Sequence, residues 1–210
     1  MVSRGRDLVE WVSDHLLILH ICKEIGDKQL HGRKMQMIAF MSEIKLWNNG
    51  LDGFDYHFIR MYRAPHSREL KIDCERLTVV SLLEYSTRTG FTLSKEGYKL
   101  LDQFSDIVRR NEPVFQAVSK VTNEVMNSNY DILLEKLNKL PNPSTPAITI
   151  DMTDEKEYLI NRNTKGSLTP FDITEIEAES LEMVFDSRLH RTLLKADESV
   201  KNGPLIQWKS

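Results

Sequence analysis

Residues 54–104 carry a succession of patterns that leaves few ways to fold. FDYHFIRMYR (54–63) alternates bulky apolar and polar residues at period two, the spacing of a strand with one buried face. APHSRELKIDCERL (64–77) then opens a helix behind a proline and a serine cap, and SLLEY (81–85) and GFTL (90–93) flank STRT as a short hairpin. SKEGYKLLDQFSDIVRRN returns to helical spacing through Tyr98, Leu101, Phe104 and Val108, with Ser94 as N-cap. Strand, short polar turn, helix, hairpin and helix is the order of a winged helix-turn-helix module, its wing tip at residues 86–90. The expected class is therefore α+β, mainly α: this module with added helices and a C-terminal helical extension.

The flanks supply the helices. Residues 8–26 place Leu8, Val12, His15, Leu16, Leu19 and Cys22 near one stripe, with Gly26 suited to end the helix in a left-handed conformation. Residues 33–47 repeat the logic through Met37, Ile38, Met41 and Ile44 before stopping at NNG. Pro113 suits the first turn of a helix over 114–126, and 130–140 adds another. PNPSTP (141–146) cannot continue a helix and divides the chain into a module at 1–140 and a linker with an acidic amphipathic extension at 141–210. In that extension AITIDM reads as an edge strand, and 173–203 as a helical pattern whose acids crowd its start.

Bulk charge limits the partners. The net charge of −3 argues against a strongly basic nucleic-acid binder, but residues 1–110 carry +2 and residues 111–210 carry −5, which leaves room for a local basic patch on the module. Cys22 and Cys74 sit inside apolar helical patterns and read as reduced and packed, which points to a cytoplasmic location. The N-terminus lacks a secretory apolar stretch, and LLILHIC falls far short of the ~20 residues of a membrane span, so no membrane contact is expected.

Catalytic chemistry is hard to find. His15, His20, His31, His57, His66 and His190 are scattered without metal-ligand spacing, and the sequence holds no nucleophile elbow or phosphate loop. Asp52 with Asp55, and Glu177 with Glu179, read as solvated charges rather than acid–base pairs. The expectation is a non-enzymatic protein with no catalytic residues, metal or cofactor.

The informative face belongs to the helix over 67–80. At about 100° per residue, Leu70, Cys74 and Leu77 fall together towards the core, while Arg68, Ile72, Glu75 and Val79 fall opposite, flanked by Lys71 and Arg76. On double-stranded DNA, Arg68, Lys71 and Arg76 would reach phosphates or base edges, Ile72 a thymine methyl, and Arg88 at the wing tip the backbone or minor groove. Glu69 and Glu75 oppose that role, and Ile72 and Val79 equally suit burial against a protein.

The motifs GFDYHFIRMYR, APHS (64–67) and LSKEG (93–97) resemble the YwgA-like and SocA (Panacea-like) group, in which an aromatic strand, GPYS, a helix and LTxEG follow in that order. Alanine and histidine stand here where the group has glycine and tyrosine. The resemblance covers about residues 10–140 and implies a compact, non-enzymatic module tied to toxin neutralisation, adaptor activity or mobile elements. The tail, through Ser180, Leu181, Glu182, Ala196 and Gly203, is similar to the C-terminal part of Phd/YefM-type antitoxins.

Together these readings lead to an antitoxin-type DNA-binding regulator. It would touch DNA through residues 67–80 and 86–90, form a homodimer, and engage a toxin-like protein through Leu181, Val184, Leu189 and Leu193. The rival is an adaptor or toxin-neutralising protein that never meets nucleic acid.

Overall fold

A computed structural model describes residues 5–186. The chain runs α1 (Leu8–Ile25), α2 (Gly32–Asn48), β1 (Phe58–Met61), β2 (Ala64–His66), α3 (Arg68–Val79), β3 (Leu83–Ser86), β4 (Gly90–Leu93), α4 (Lys95–Gln103) and α5 (Ser105–Arg110). It continues through α6 (Glu112–Asn127), α7 (Tyr130–Asn138), β5 (Pro141–Asn142), β6 (Thr145–Thr149), β7 (Tyr158–Ile160) and α8 (Glu175–Phe185). The architecture is α+β and mainly helical, with three small antiparallel sheets among the described residues. Among the described residues no helix is long and apolar enough to cross a membrane.

α1 is the axis of the core. Asp7 and Glu10 close a capping box at its start, and Gly26, at φ +59°, ends it with its N–H donating to the Cys22 carbonyl at 3.1 Å. The sequence stripe suggests one buried face, yet every residue from Val12 to Cys22 is buried. A helix apolar or paired all round is one enclosed by neighbours, and α1 is packed by α3, α4, α6, α8 and β4. α6 also lies along α2, bringing Val118, Val121 and Val125 into the same apolar cluster.

The aromatic alternation at 54–58 is legible in three dimensions: Phe54, Tyr56 and Phe58 are all fully buried and follow one another ring to ring. Only the last of them enters a ladder. β1 pairs with β2 on one side and with β7 on the other, giving the order β2-β1-β7. The expected turn at 64–67 is thus a short strand followed by the α3 cap.

The second hairpin, β3–β4, registers Leu83 with Leu93 and Ser86 with Gly90. Leu30, ahead of α2, bridges to it: its N–H donates to Thr89 and its carbonyl accepts from Phe91, at 2.9 and 3.0 Å. The helix expected to continue past Gln103 breaks at Phe104 into α4 and α5.

Across Pro141 the packing is continuous. Ile150, Leu159, Ile160, Phe171, Leu181 and Phe185 all join the one apolar cluster that contains α1 and α2. α8 begins in a Thr174–Glu177 capping box, and its Glu177 also accepts from Arg110 at 2.6 Å, which holds that carboxyl down at about 2. The helical pattern beyond Asp186 lies outside the described residues.

Candidate docking face

α3 is fixed before it is exposed. Ser67 caps it by accepting from the Leu70 N–H at 3.3 Å, and Gln36 clamps both backbone groups of Ser67, accepting its N–H at 2.7 Å and donating to its carbonyl at 2.8 Å. Leu70, Cys74 and Leu77 face the core as the helical wheel requires, and Asp73 is buried with them.

Asp73 is held by an ionic knot. Arg6 Nη1 donates to Asp73 Oδ2 and to Asp14 Oδ2, both at 2.6 Å, the Tyr56 hydroxyl donates to Asp73 Oδ2 at 3.0 Å, and Arg76 donates to Asp73 Oδ1 at 2.9 Å. Asp14 in turn accepts the Asp55 N–H at 2.9 Å. Burial pushes the Asp14 carboxyl up against the pull of Arg6, and burial holds His15, 3.7 Å from Asp73, down at about 4 and therefore neutral. Removing one partner from such a knot leaves an uncompensated buried charge, so it locks α1, the aromatic segment and α3 in one geometry.

A second knot ties the late segment beneath the same face. Lys165 Nζ donates to the Phe54 carbonyl at 2.6 Å and to Asp55 Oδ1 at 3.1 Å, and lies 2.7 Å from Glu43 Oε1. Arg162 donates to the Asp55 carbonyl and to Glu69 Oε1, both at 3.0 Å, and Glu69 Oε2 accepts the His57 N–H at 3.0 Å. The solvated reading of Asp55 is therefore corrected: it is 4 % exposed and its carboxyl is raised by burial. Burial likewise pushes Glu43 up to about 7, with Lys165 opposing the rise. No local pattern signals these contacts, since the Lys165 partners lie 110 or more positions away.

With Glu69 drawn inward, the outer face of α3 presents Arg68, Lys71, Ile72, Glu75 and Val79, all exposed. Lys71 and Glu75 sit 3.7 Å apart one turn from each other. Arg76 does not share this face: it is half-buried, paired with Asp73, and lies 5.3 Å over the Trp11 ring. Arg88 stands exposed at the tip of the β3–β4 hairpin, where Ser86 accepts the Thr89 N–H at 2.9 Å.

A groove of about 1170 Å³ runs beside α3. Its walls come from the start of α2, the β1–β2 turn, α3, the β3–β4 hairpin and the start of α7. Three of the large apolar side chains that the fold leaves exposed stand on it: Tyr62 at 84 %, Tyr85 at 56 % and Val79 at 54 %. Tyr62 is presented by an uncommon turn, in which Tyr62 and Arg63 both adopt positive φ (50° and 66°) and the Glu155 carboxylate accepts both of their N–H groups. Turns of this kind are normally built from asparagine and glycine, so bulky residues here store strain. Tyr62, Tyr85, Phe91, Tyr130 and Leu134 escape the sequence reading; the only local signal was a hairpin tip without glycine.

The LSKEG motif is accounted for by packing. Ser94 Oγ accepts the Gly97 N–H at 3.0 Å and donates to the Ser81 carbonyl at 2.7 Å. A Cβ on Gly97 would lie 2.4 Å from the Leu82 carbonyl oxygen, so the glycine lets α4 dock on the start of the hairpin. The residues proposed for a partner on the tail divide. Leu181 is fully buried and Val184 half-buried on α8, which packs on α1, while Leu189 and Leu193 lie outside the described residues.

No family model, curated protein or solved structure matches the chain.

Proposed function

We propose that the protein is a non-enzymatic binding module whose working surface is the α3 face, and that its partner is another protein, in an adaptor or toxin-neutralising role. The observation that carries this reading is the apolar groove, where Tyr62, Val79 and Tyr85 stand exposed beside cationic side chains. Contiguous exposed apolar surface ringed by polar groups marks a protein interface, and tyrosine and arginine are the residues enriched where such interfaces gain most of their affinity. Phosphate recognition has no use for an apolar trough of this size.

The module reads as a winged helix with an insertion. α1 supplies the first helix, Leu30 the stub that pairs with the hairpin, α2 and α3 the helical pair, and β3–β4 the wing, with β1–β2 inserted between the two helices. That assignment supports a second reading, DNA contact, which the inward turn of Glu69 favours by removing one of two carboxylates from the face. Arg68 and Lys71 would then meet phosphates and Arg88 the flanking backbone, on a homodimer reading two half-sites.

Two variants separate the readings. Val79→Ser, which removes apolar contact without adding charge to the face, weakens binding to a protein partner by about tenfold and leaves any duplex-DNA affinity within about threefold. Arg68→Ala, Lys71→Ala and Arg88→Ala combined abolish DNA binding and its salt dependence. A steep fall in duplex affinity between low and moderate salt that vanishes in the triple variant would reverse the order of preference.

A further inference from the structure

We infer that the groove beside α3 receives a single amphipathic α-helix from a separate protein, with an acidic end of that helix against Arg68 and Lys71. This rests on the protein-docking reading and adds the form and polarity of the occupant. The volume, about 1170 Å³, exceeds the 300–1,000 Å³ or so that encloses a small molecule. One wall is the whole of α3, whose 12 residues extend about 18 Å, so the trough has the length of a helix of three to four turns.

An extended strand is the alternative occupant, because β2 is the edge of its sheet and lines the groove. That edge is closed to it. β2 is only three residues long, its central residue Pro65 has no N–H to donate, and the backbone groups of the next residue, Ser67, are already taken by Gln36. What remains is side-chain recognition by a preformed apolar trough, the mode in which a helix lays residues spaced three and four apart into a groove.

Charge sets the chemistry of the occupant. Arg68 and Lys71 occupy the first turn of α3, where the helix dipole adds positive potential, and Arg63 is exposed in the neighbouring turn. Arg33 at the start of α2 adds a third cation to the lining, against two acids, Glu75 one turn along α3 and Asp131 at the start of α7. An occupant with acids at one end and apolar residues along one face complements both features, and Tyr62 covers it from the rim.

The test is selection of displayed random peptides of about 15 residues, roughly four helical turns, against the full chain. Enriched peptides are expected to share an apolar stripe at three- and four-residue spacing with acids at one end. They should lose about tenfold or more in affinity on Val79→Glu and on Lys71→Glu, and keep it on Ile176→Glu, an exposed site outside the groove lining, with circular dichroism showing each variant folded. Enriched peptides that depend on Val79 but are basic or lack helical spacing would overturn the helix and leave protein docking standing. No enrichment, or indifference to Val79→Glu, would overturn both. Displacement of the peptides by a synthetic 187–210 peptide would assign the groove to the chain's own tail, and self-association abolished by Val79→Glu would assign it to a second copy. Either result overturns a separate partner.

Discussion

At the scale of single residues, the fold spends buried charge on position. Glu43 illustrates the cost: its carboxyl is fully buried, accepts the Phe54 N–H at 2.7 Å and is raised from 4.5 to about 7. An acid whose folded pKa is raised favours the folded state below its unfolded value, and that contribution is lost as pH rises from about 4.5 through about 7. The expected loss between about pH 5 and about pH 8 is roughly 3 kcal/mol, taking ~1.4 kcal/mol per pKa unit. His15, held at about 4, works in the opposite sense over part of the same range, so the two profiles must be separated by mutation. Denaturant unfolding of Glu43→Gln at both pH values isolates the Glu43 contribution: the variant lacks its slope, and parallel profiles for variant and wild type would contradict the assignment. Tyr62 and Arg63 give a second expectation. Replacing them together with Asn and Gly relieves two positive-φ conformations and raises stability by about 1 kcal/mol, while weakening partner binding through loss of the Tyr62 ring. A variant that is no more stable in thermal melting would show that the turn stores no strain.

At the scale of elements, local chemistry was legible wherever it was sufficient. Ser67 and Ser94 cap helices as their side chains allow, and the alternation at 54–58 and the 81–93 hairpin follow from period-two spacing. The core face of α3 follows from Leu70, Cys74 and Leu77, but Arg76 was misplaced because a wheel does not reveal that Asp73, one turn earlier, is buried and pulls it inward. The Leu30 bridge was equally silent, since one residue between two helices has no period. It depends on Gly90, which sits at φ +74° and whose Cβ would lie 2.1 Å from the Leu30 carbonyl oxygen. Gly90→Ala should therefore cost about 2 kcal/mol or more by melting and speed amide exchange at Leu30 and Phe91; an unchanged melt would mean that the bridge is dispensable.

At the scale of the whole molecule, the late segment completes the site. β7 adds to the sheet that carries Tyr62, Arg162 and Lys165 anchor the segment before β1, and α8 covers α1. The proline cluster at 141–146 suggested a boundary because proline reports what the local backbone cannot do, whereas burial of Ile150, Leu159 and Leu181 depends on partners far away in sequence. Leu181→Ala is thus expected to destabilise by about 2–5 kcal/mol, the cost of a cavity, rather than to impair binding at unchanged stability. The groove was illegible for the same reason, its walls coming from four separate stretches of chain, within 32–36, 61–79, 85–91 and 130–134.

Photo-crosslinking in cells tests the docking surface most directly, with a photoreactive residue placed at Val79 or, as a control, at Ile176, both exposed in the isolated chain. A discrete protein adduct at position 79 and none at 176 is the predicted result. Nucleic-acid adducts at position 79, or the same adducts at both positions, would contradict it.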